Sequence, residues 1–566
     1  MLRFEDFEIK SLSSLERVFH DEHLDNKPEI KSFIMYKNQK LCYQVAFRCN
    51  APAAQVHRYP HAKISFTGSL AKYASVRQVQ SVPSLYPACK GNVDDYYDRC
   101  DPGLFPEVLS PIHYEGKITI GSELTTSLWI NVDLPKNFKA GEYDLTLNLD
   151  IEHKEFPEHA EKSVKIKVLP CELPKQKTRH TEWFYTDCIA EYHNVKAFSK
   201  EHFRLIGEYM KVAVANGINM ILTPVFTPEL DTYIGGERLT TQLVKIQEND
   251  GVYSFDFTLL GKWIDLANKC GVEYFEICHM FSQWGAFKTP KVVVNVDGVE
   301  TKKFGWHTDA LGEEYVAFLD AFLPELVKYL KEKGVEKRCY FHISDEPSTR
   351  NIDQYLGCSK VLNKYLSEFP IIDALSNYEF YESGAIKKPV PSLHHMEEFL
   401  GKGIDGLWAY YCGANGCSNG TSNRFFSMPL ARIRILGVQL YKYNIEGFLH
   451  WGFNFYHTML SYNFVDPYLE TTGEYFGPSG DCFLVYPSNE GTPRESLRLN
   501  AMREAFEDIR ALELLESYYG REFVIKLIDS EACMDLDFKN YPKGAEFILR
   551  LREKVAILTE KAINNL

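Results

Sequence analysis

Residues 341–347 read Phe-His-Ile-Ser-Asp-Glu-Pro, a short apolar run ending on two adjacent carboxylates, Asp345 and Glu346, with Pro347 behind them. Like charges a few ångströms apart push their protonation equilibria apart, so one acid keeps its proton near neutral pH while its neighbour stays an anion. A proton donor beside a charge stabiliser is equipment for general acid–base chemistry. The stretch Ser344-Asp345-Glu346-Pro347 also fits a helix start, with a serine cap and acids in the first turn. Against that, a residue before proline is disfavoured in the helical region. Glu346 is therefore expected to be extended, with the next helix beginning near Asn351.

Such a pair needs a frame. Beyond a polar linker at Pro170 and Pro174–His180, strand-like and helical stretches alternate, which implies a parallel sheet. Strands are expected at Thr181–Tyr185, Met220–Pro224, Tyr274–Cys278, Cys339–Ile343, Ile371–Leu375, Pro391–His394, Gly406–Tyr411 and Gly447–Trp451. Helices with one apolar face are expected at Ser199–Ala215, Leu259–Lys269, Glu313–Lys331, Gln354–Ser367 and Leu430–Lys442. This pattern implies an α/β fold, a (β/α)8 TIM-type barrel, whose active site forms where strands end. Asp345 and Glu346 end the fourth strand. Other strand ends carry sugar-binding types: Trp183, Tyr185 and Asp187; His279, Gln283 and Trp284; Asn377 and Tyr378; Tyr410 and Tyr411; Trp451 and Asn454. Aromatic faces suit the C–H faces of a pyranose, and amides and acids suit its hydroxyls. Singly, each such aromatic is more often core than sugar platform, because large aromatic side chains dominate cores, and it is their concentration at the open face that carries the reading.

Before the linker, Leu41–Cys49, Thr126–Leu134, Tyr143–Ile151 and Ser163–Leu169 alternate polar and apolar residues, with a turn at Lys139-Ala140-Gly141-Glu142. This is the period-two pattern of an antiparallel β-sandwich. The expected organisation is a sandwich over residues 1–174, a catalytic barrel over 175–510 and a C-terminal helical tail over 511–566 packed on the barrel.

At 566 residues the chain fits two or three domains. Its net charge of −14 argues against nucleic acid or an anionic membrane as partner. Met1-Leu2-Arg3-Phe4-Glu5-Asp6 carries acids where a signal peptide needs an apolar core. No apolar run is long enough to span a bilayer, so no membrane insertion and a cytoplasmic location are expected. The sequon-like Asn419-Gly420-Thr421 should be silent there. Fourteen scattered cysteines without metal-ligand spacing read as reduced, mostly buried small hydrophobes rather than a disulfide frame. His394-His395-Met396-Glu397-Glu398 is the densest metal candidate, but adjacent histidines on a strand face opposite ways, so no metal and no cofactor are expected.

Asp-Glu-Pro resembles the Asn-Glu-Pro of many retaining barrel glycosidases, which need a second carboxylate, usually after strand seven, as nucleophile. Between Gly406 and Asn444 there is no acid, and after Glu446 the next is Asp466. Without an enzyme nucleophile the substrate must supply one, and a 2-acetamido carbonyl oxygen does so, giving an oxazolinium ion. Asp345 would face its N–H⁺, while Glu346 would protonate the leaving oxygen and later deprotonate water.

Ile343-Ser344-Asp345-Glu346-Pro347, the segment Glu182–Cys188, Leu449–Tyr456, Gly480–Pro487 and Ser496-Leu497-Arg498 together resemble glycoside hydrolase family 123 across nearly the whole chain. The resemblance implies an N-terminal β-sandwich and a catalytic barrel. It also implies exo-acting, retaining, substrate-assisted release of terminal β-linked N-acetylgalactosamine from glycosphingolipid-type oligosaccharides. By that match Asp345 orients the acetamide and Glu346 is the acid/base. Trp183, Asp187, Trp284, Asn377, Tyr411, Trp451 and Asn454 are substrate-binding expectations from strand-end position. A β-N-acetylglucosaminidase and a glycan-binding barrel without turnover are the rival readings.

Overall fold

The structure, a computed structural model, describes residues 7–50, 60–89, 91, 93–112, 116–152, 158–413 and 420–565. Asn419 lies outside the described residues. By packing, the chain divides into two units, residues 1–176 with 424–442 and 494–566, and residues 177–423 with 443–493.

In the first unit the alternating sequence forms β1 (Phe7–Ser13), β2 (Ser32–Met35), β3 (Lys40–Cys49), β4 (His61–Thr67), β5 (Ala74–Ser84), β6 (Gly103–Pro111), β7 (Lys117–Thr119), β8 (Thr125–Asp133), β9 (Gly141–Ile151) and β10 (His159–Val168). They make two five-stranded sheets, ordered β1-β3-β8-β5-β6 and β2-β10-β9-β4-β7. Every second residue points into one shared apolar core: Tyr43, Val45 and Phe47 with Leu128, Ile130 and Val132 from one sheet, Leu145, Leu147 and Leu149 with Val164, Ile166 and Val168 from the other. The expected turn at Lys139–Glu142 is displaced, because Gly141 already belongs to β9 and the bend falls at Lys136-Asn137.

The other face of the first sheet is also covered, and polar groups decide by what. The helix Leu497–Tyr519 sets Arg498 against Glu107 at 2.8 Å, Arg503 against the Lys40 carbonyl at 3.0 Å and Glu507 against Gln39 at 3.0 Å. Helix Leu430–Lys442 joins it through Arg434, which pairs with Glu504 and Asp508, each at 2.7 Å. At Gly437 an added Cβ would stand 2.0 Å from the Ala505 carbonyl, so the two helices touch backbone to backbone. This corrects the expected organisation. The tail over 511–566 groups in one unit with the sandwich, and Leu430–Lys442, expected as a barrel helix, groups with it. Among the described residues twelve cysteines are free and Cys89 is disulfide-bonded, a departure from the reading of the cysteines as reduced.

The second unit carries β11 (Arg179–Glu182), β12 (Met220–Thr223), β13 (Lys245–Asn249), β14 (Val252–Asp256), β15 (Tyr274–Ile277), β16 (Val292–Val296), β17 (Val299–Phe304), β18 (Cys339–Phe341), β19 (Ile372–Ala374), β20 (Lys388–Val390), β21 (Trp408–Tyr410) and β22 (Gly447–His450). Its main sheet is parallel and six-stranded, β18-β15-β12-β11-β22-β21, where a closed eight-stranded barrel was expected. Strands β19 and β20 pair separately, and single parallel bridges, Phe341 to Ile371 and Ser392 to Tyr410, stand between the two sheets. Strands of three residues leave few ladder bonds with which to continue a sheet. The sixth strand lies three residues earlier than the expected Pro391–His394, because Leu393–His395 winds into a 3-10 turn. Helices Lys200–Ala215, Thr258–Cys270, Glu313–Glu332 and Ile352–Leu366 lie within two residues of expectation, the first capped by Ser199, whose side chain accepts from the His202 N–H.

A second sheet, β14-β13-β16-β17, was not expected. Its hairpins turn on Asp250-Gly251 and Asp297-Gly298, with φ of 51°, 78°, 47° and 92°. Asp-Gly favours the turn that needs two left-handed residues, so the sequence held the signal.

Candidate active site

The chain leaves β18 at His342, and the next residues are clamped from both sides. The Asp373 carboxylate, on β19, accepts from the Ile343 N–H at 3.1 Å and the Ser344 N–H at 3.3 Å. Ser344 donates its hydroxyl to the Ser282 carbonyl at 2.7 Å, and the Trp284 N–H donates to the Asp345 carbonyl at 2.7 Å. The Glu346 N–H donates to the Ala374 carbonyl at 3.1 Å. So held, Glu346 has a φ of 41°. The expectation of an extended Glu346 is corrected: proline excludes the right-handed helical region, but these clamps select the left-handed one. Strained backbone of this kind persists where surrounding structure over-determines it. Two other residues of the same pocket share it, Asp231 at 51° and Trp284 at 58°.

Asp345 and Glu346 open onto a cavity of about 250 Å³ walled by Trp183, Tyr185, Trp284, Tyr410, Trp451 and Phe476. Asp231 and Asp481 also line it. Enclosure by protein raises the Asp345 carboxyl well above its ordinary range, and the Glu346 charge raises it further. Enclosure raises Glu346 too, against the Tyr410 hydroxyl, which donates to Glu346 Oε1 at 2.7 Å and favours its anion. The pair therefore holds a proton near neutral pH.

Beneath the pair lies a charged layer. His342 donates to Asp373 Oδ1 at 2.9 Å and to Glu276 Oε1 at 2.7 Å. Burial alone would lower its pKa, but these two carboxylates outweigh burial and hold the ring protonated, up to about 9. Tyr355 donates to the same Asp373 at 2.6 Å. Glu276 also accepts from the Trp183 indole at 2.8 Å and from the Thr181 hydroxyl. His279 stacks on His342 at 4.1 Å and is kept neutral by burial and that neighbouring charge. The imidazolium lowers the Asp345 pKa and so offsets part of its desolvation.

Of the residues expected from strand ends, Trp183, Trp284 and Trp451 line the cavity. Asp187 does not; it is buried against Arg238 at 2.6 Å. Asn454 brackets the Tyr185 backbone, accepting from its N–H and donating to its carbonyl, both at 2.9 Å, so it orients a wall residue. Tyr411 is core, packed on Phe448 and His450. Asn377 is exposed, away from the lining. Strand-end position alone does not say which way a side chain turns.

The acids at positions 231 and 481 were missed. Asp231 sits in the loop after β12 and Asp481 about thirty residues beyond β22, so the count of acids after strand seven did not reach them. Asp481 accepts from the Gly413 N–H at 2.8 Å, the Trp451 indole at 3.1 Å and His450 at 3.2 Å. Gly452 makes this approach possible, since a Cβ there would stand 2.5 Å from the Asp481 carbonyl. Among the described residues two buried clusters have ligand types for a metal, Asp187-Cys188-His457 and His279-His342-Asp373. In each, ligand atoms are already engaged, Asp187 by Arg238 and His342 by both its carboxylates.

Tyr410→Phe removes the donor that favours the Glu346 anion, so the acid's pKa rises. The alkaline limb of kcat/KM, where a catalytic acid loses its proton, should move to higher pH, by about one unit for one lost hydrogen bond to a charged group. A pH profile of the variant against wild type reads this, and an unmoved or lowered limb contradicts it.

Adjacent acids in an aromatic-walled cavity at the carboxyl edge of a parallel sheet fit a glycoside hydrolase. Residues 183–515 match the family described as glycoside hydrolase 123, catalytic domain, and the chain belongs to that family. Among solved structures, a family 123 glycoside hydrolase from Clostridium perfringens, described for glycolipid glycan hydrolysis, superposes with a TM-score of 0.71 at 16% identity, covering 99% of this chain and 98% of that one. A β-glucuronidase from Parabacteroides merdae aligns at a TM-score of 0.30 and 11% identity over 90% of this chain and 52% of its own, too distant to carry an argument. Comparison with curated proteins finds no match.

Proposed function

We propose that the protein is an exo-acting, retaining β-N-acetylgalactosaminidase that works on glycosphingolipid-type oligosaccharides by substrate assistance. One observation carries the mechanism. Burial raises both adjacent acids, Asp345 above the His342 layer and Glu346 against the Tyr410 hydroxyl, while Asp481 is held by three donors.

In the bound state the acetamide N–H of the sugar meets Asp345. A donor facing a carboxylate favours its anion, so the proton of the pair passes to Glu346, beside the glycosidic oxygen. Glu346 gives that proton to the leaving oxygen as the acetamide carbonyl oxygen attacks C1 and the glycosidic bond breaks. The oxazolinium carries its positive charge next to Asp345, whose anion the neighbouring His342 charge also favours. Glu346, now an anion, takes a proton from the water that opens the ring, and the configuration at C1 is retained.

A cavity of about 250 Å³ lies below the roughly 300–1,000 Å³ of sites for drug-sized ligands and suits one terminal sugar, which supports exo action. The choice of N-acetylgalactosamine and glycolipid glycans rests on family membership and on the relative from Clostridium perfringens. A closed eight-stranded barrel is part of this reading, supported by the parallel bridges from β18 toward β19 and from β20 toward β21.

A panel of nitrophenyl β-glycosides with a thiazoline mimic of the bicyclic intermediate tests it. The N-acetylgalactosaminide should be turned over in preference to the N-acetylglucosaminide. The thiazoline should compete at least about 10²-fold more tightly than the free sugar. Preference for the other epimer makes the protein an N-acetylglucosaminidase, binding without turnover makes it a lectin-like barrel, and indifference to millimolar thiazoline removes the oxazolinium.

A further inference from the structure

We infer that Asp231 is the residue that reads a hydroxyl of the bound sugar, and so decides which sugars the cavity accepts. The inference rests on the glycosidase reading above and assigns a role that the catalytic steps leave empty.

Asp231 lines the cavity together with Asp345 and Glu346 and is 9% exposed. Its Oδ2 has no hydrogen-bond partner among the described residues, nor has the hydroxyl of Tyr185, another wall of the same cavity. A buried carboxylate oxygen without a partner is costly and calls for a reason. Its obvious counter-ion is committed elsewhere. Arg238 gives its Nε to Asp187 at 2.7 Å and an Nη to the Leu230 carbonyl at 3.2 Å.

The backbone is built to keep this oxygen in place. Asp231 has a left-handed φ of 51°. Gln283 accepts from the Asp231 N–H at 2.5 Å and donates to the Thr232 carbonyl at 2.9 Å, while Ser461 donates to the Asp231 carbonyl at 2.7 Å. Three clamps around a strained residue, none to the free oxygen, are preorganisation for a group that arrives from outside. Among the lining acids Asp481 is already occupied by three donors, and the catalytic pair faces the acetamide and the leaving oxygen. The ring hydroxyls remain, and a carboxylate oxygen is a strong acceptor for them. Enclosure, with Asp481 and Glu346 nearby, lifts the Asp231 pKa to about 7 against the pull of Arg238, and in either protonation state Oδ2 offers a lone pair.

The test pairs Asp231→Ala and Asp231→Asn with an aryl glycoside and its analogues deoxygenated at C3, C4 or C6. Wild type should lose about 10²-fold in kcat/KM on one of the three analogues. Asp231→Ala should lose a similar factor on the parent sugar, yet distinguish that analogue from the parent by less than about threefold. Asp231→Asn, which keeps an oxygen for the Leu460 N–H that now bonds the carboxylate, should melt no lower than wild type. The inference falls if Asp231→Ala is equally impaired on every analogue, if it leaves the parent rate unchanged, or if Asp231→Asn melts lower with hydroxyl selectivity intact. It falls also if azide restores Asp231→Ala, which would make Asp231 the nucleophile. Should wild type hydrolyse the plain galactoside as well as the hexosaminide, substrate assistance fails, and the same deoxy series built on the galactoside still decides the role of Asp231.

Discussion

The nitrophenyl β-galactoside, which differs from the N-acetylgalactosaminide only by a hydroxyl in place of the acetamide, is expected to be hydrolysed at least about 10⁴-fold more slowly. On the proposed mechanism, removing the acetamide deletes the nucleophile itself, and a well-oriented intramolecular nucleophile is worth effective molarities of about 10⁵ M or more. The loss should appear in kcat as well as kcat/KM, because it lies in the chemical step rather than in uniform binding. Measuring both sugars with one enzyme preparation checks it. Comparable turnover would mean that a protein carboxylate attacks C1, and Asp231, with its unpartnered oxygen, would be the one to examine.

The two acids proposed as catalytic should separate by leaving group. Glu346→Gln removes the proton donor, so a natural glycan, whose alkoxide leaves poorly, should lose about 10⁴-fold, while an activated aryl glycoside loses far less. Asp345→Asn removes the anion proposed to face the developing N–H⁺, so about 10²–10³-fold should be lost whatever the leaving group. Across aryl glycosides of graded acidity, Glu346→Gln should steepen the dependence of rate on leaving-group pKa and Asp345→Asn should leave its slope alone. If Asp345→Asn is the variant that steepens it, the two roles are exchanged. If neither substitution matters, the acids after β18 only shape the strand end and the chemistry lies elsewhere.

These expectations lean on residues of differing legibility. Asp345 and Glu346 stood out because adjacent acids on a short apolar strand before proline have few structural uses. The alternation of Leu145, Leu147 and Leu149 announced a half-buried sheet, because side chains on a strand face opposite sides in turn. The spacing of strands and helices after residue 178 likewise announced a parallel sheet, and helix ends such as that at Ser199 fell where capping chemistry puts them. The hairpins at Asp250-Gly251 and Asp297-Gly298 carried an equally local signal that went unread.

What the tertiary structure alone decided is long-range. Asp231 and Asp481 reach the pocket from loops about 250 residues apart in sequence, and no periodicity connects them. Tyr410 turns to Glu346 while Tyr411 turns into the core, because adjacent residues at a strand end point to opposite sides and only packing chooses between them. The left-handed Glu346 was set by hydrogen bonds from the neighbouring strand ends, which overrode its local preference. Helix Leu497–Tyr519 went to the sandwich because the partners of Arg498 and Glu507, Glu107 and Gln39, lie about 390 and 470 residues away in sequence. Local sequence determined which elements form and where two acids meet on one strand end. The pocket, its further acids and the raised pKa values of its acid pair arise from contacts that exist only once the chain is folded.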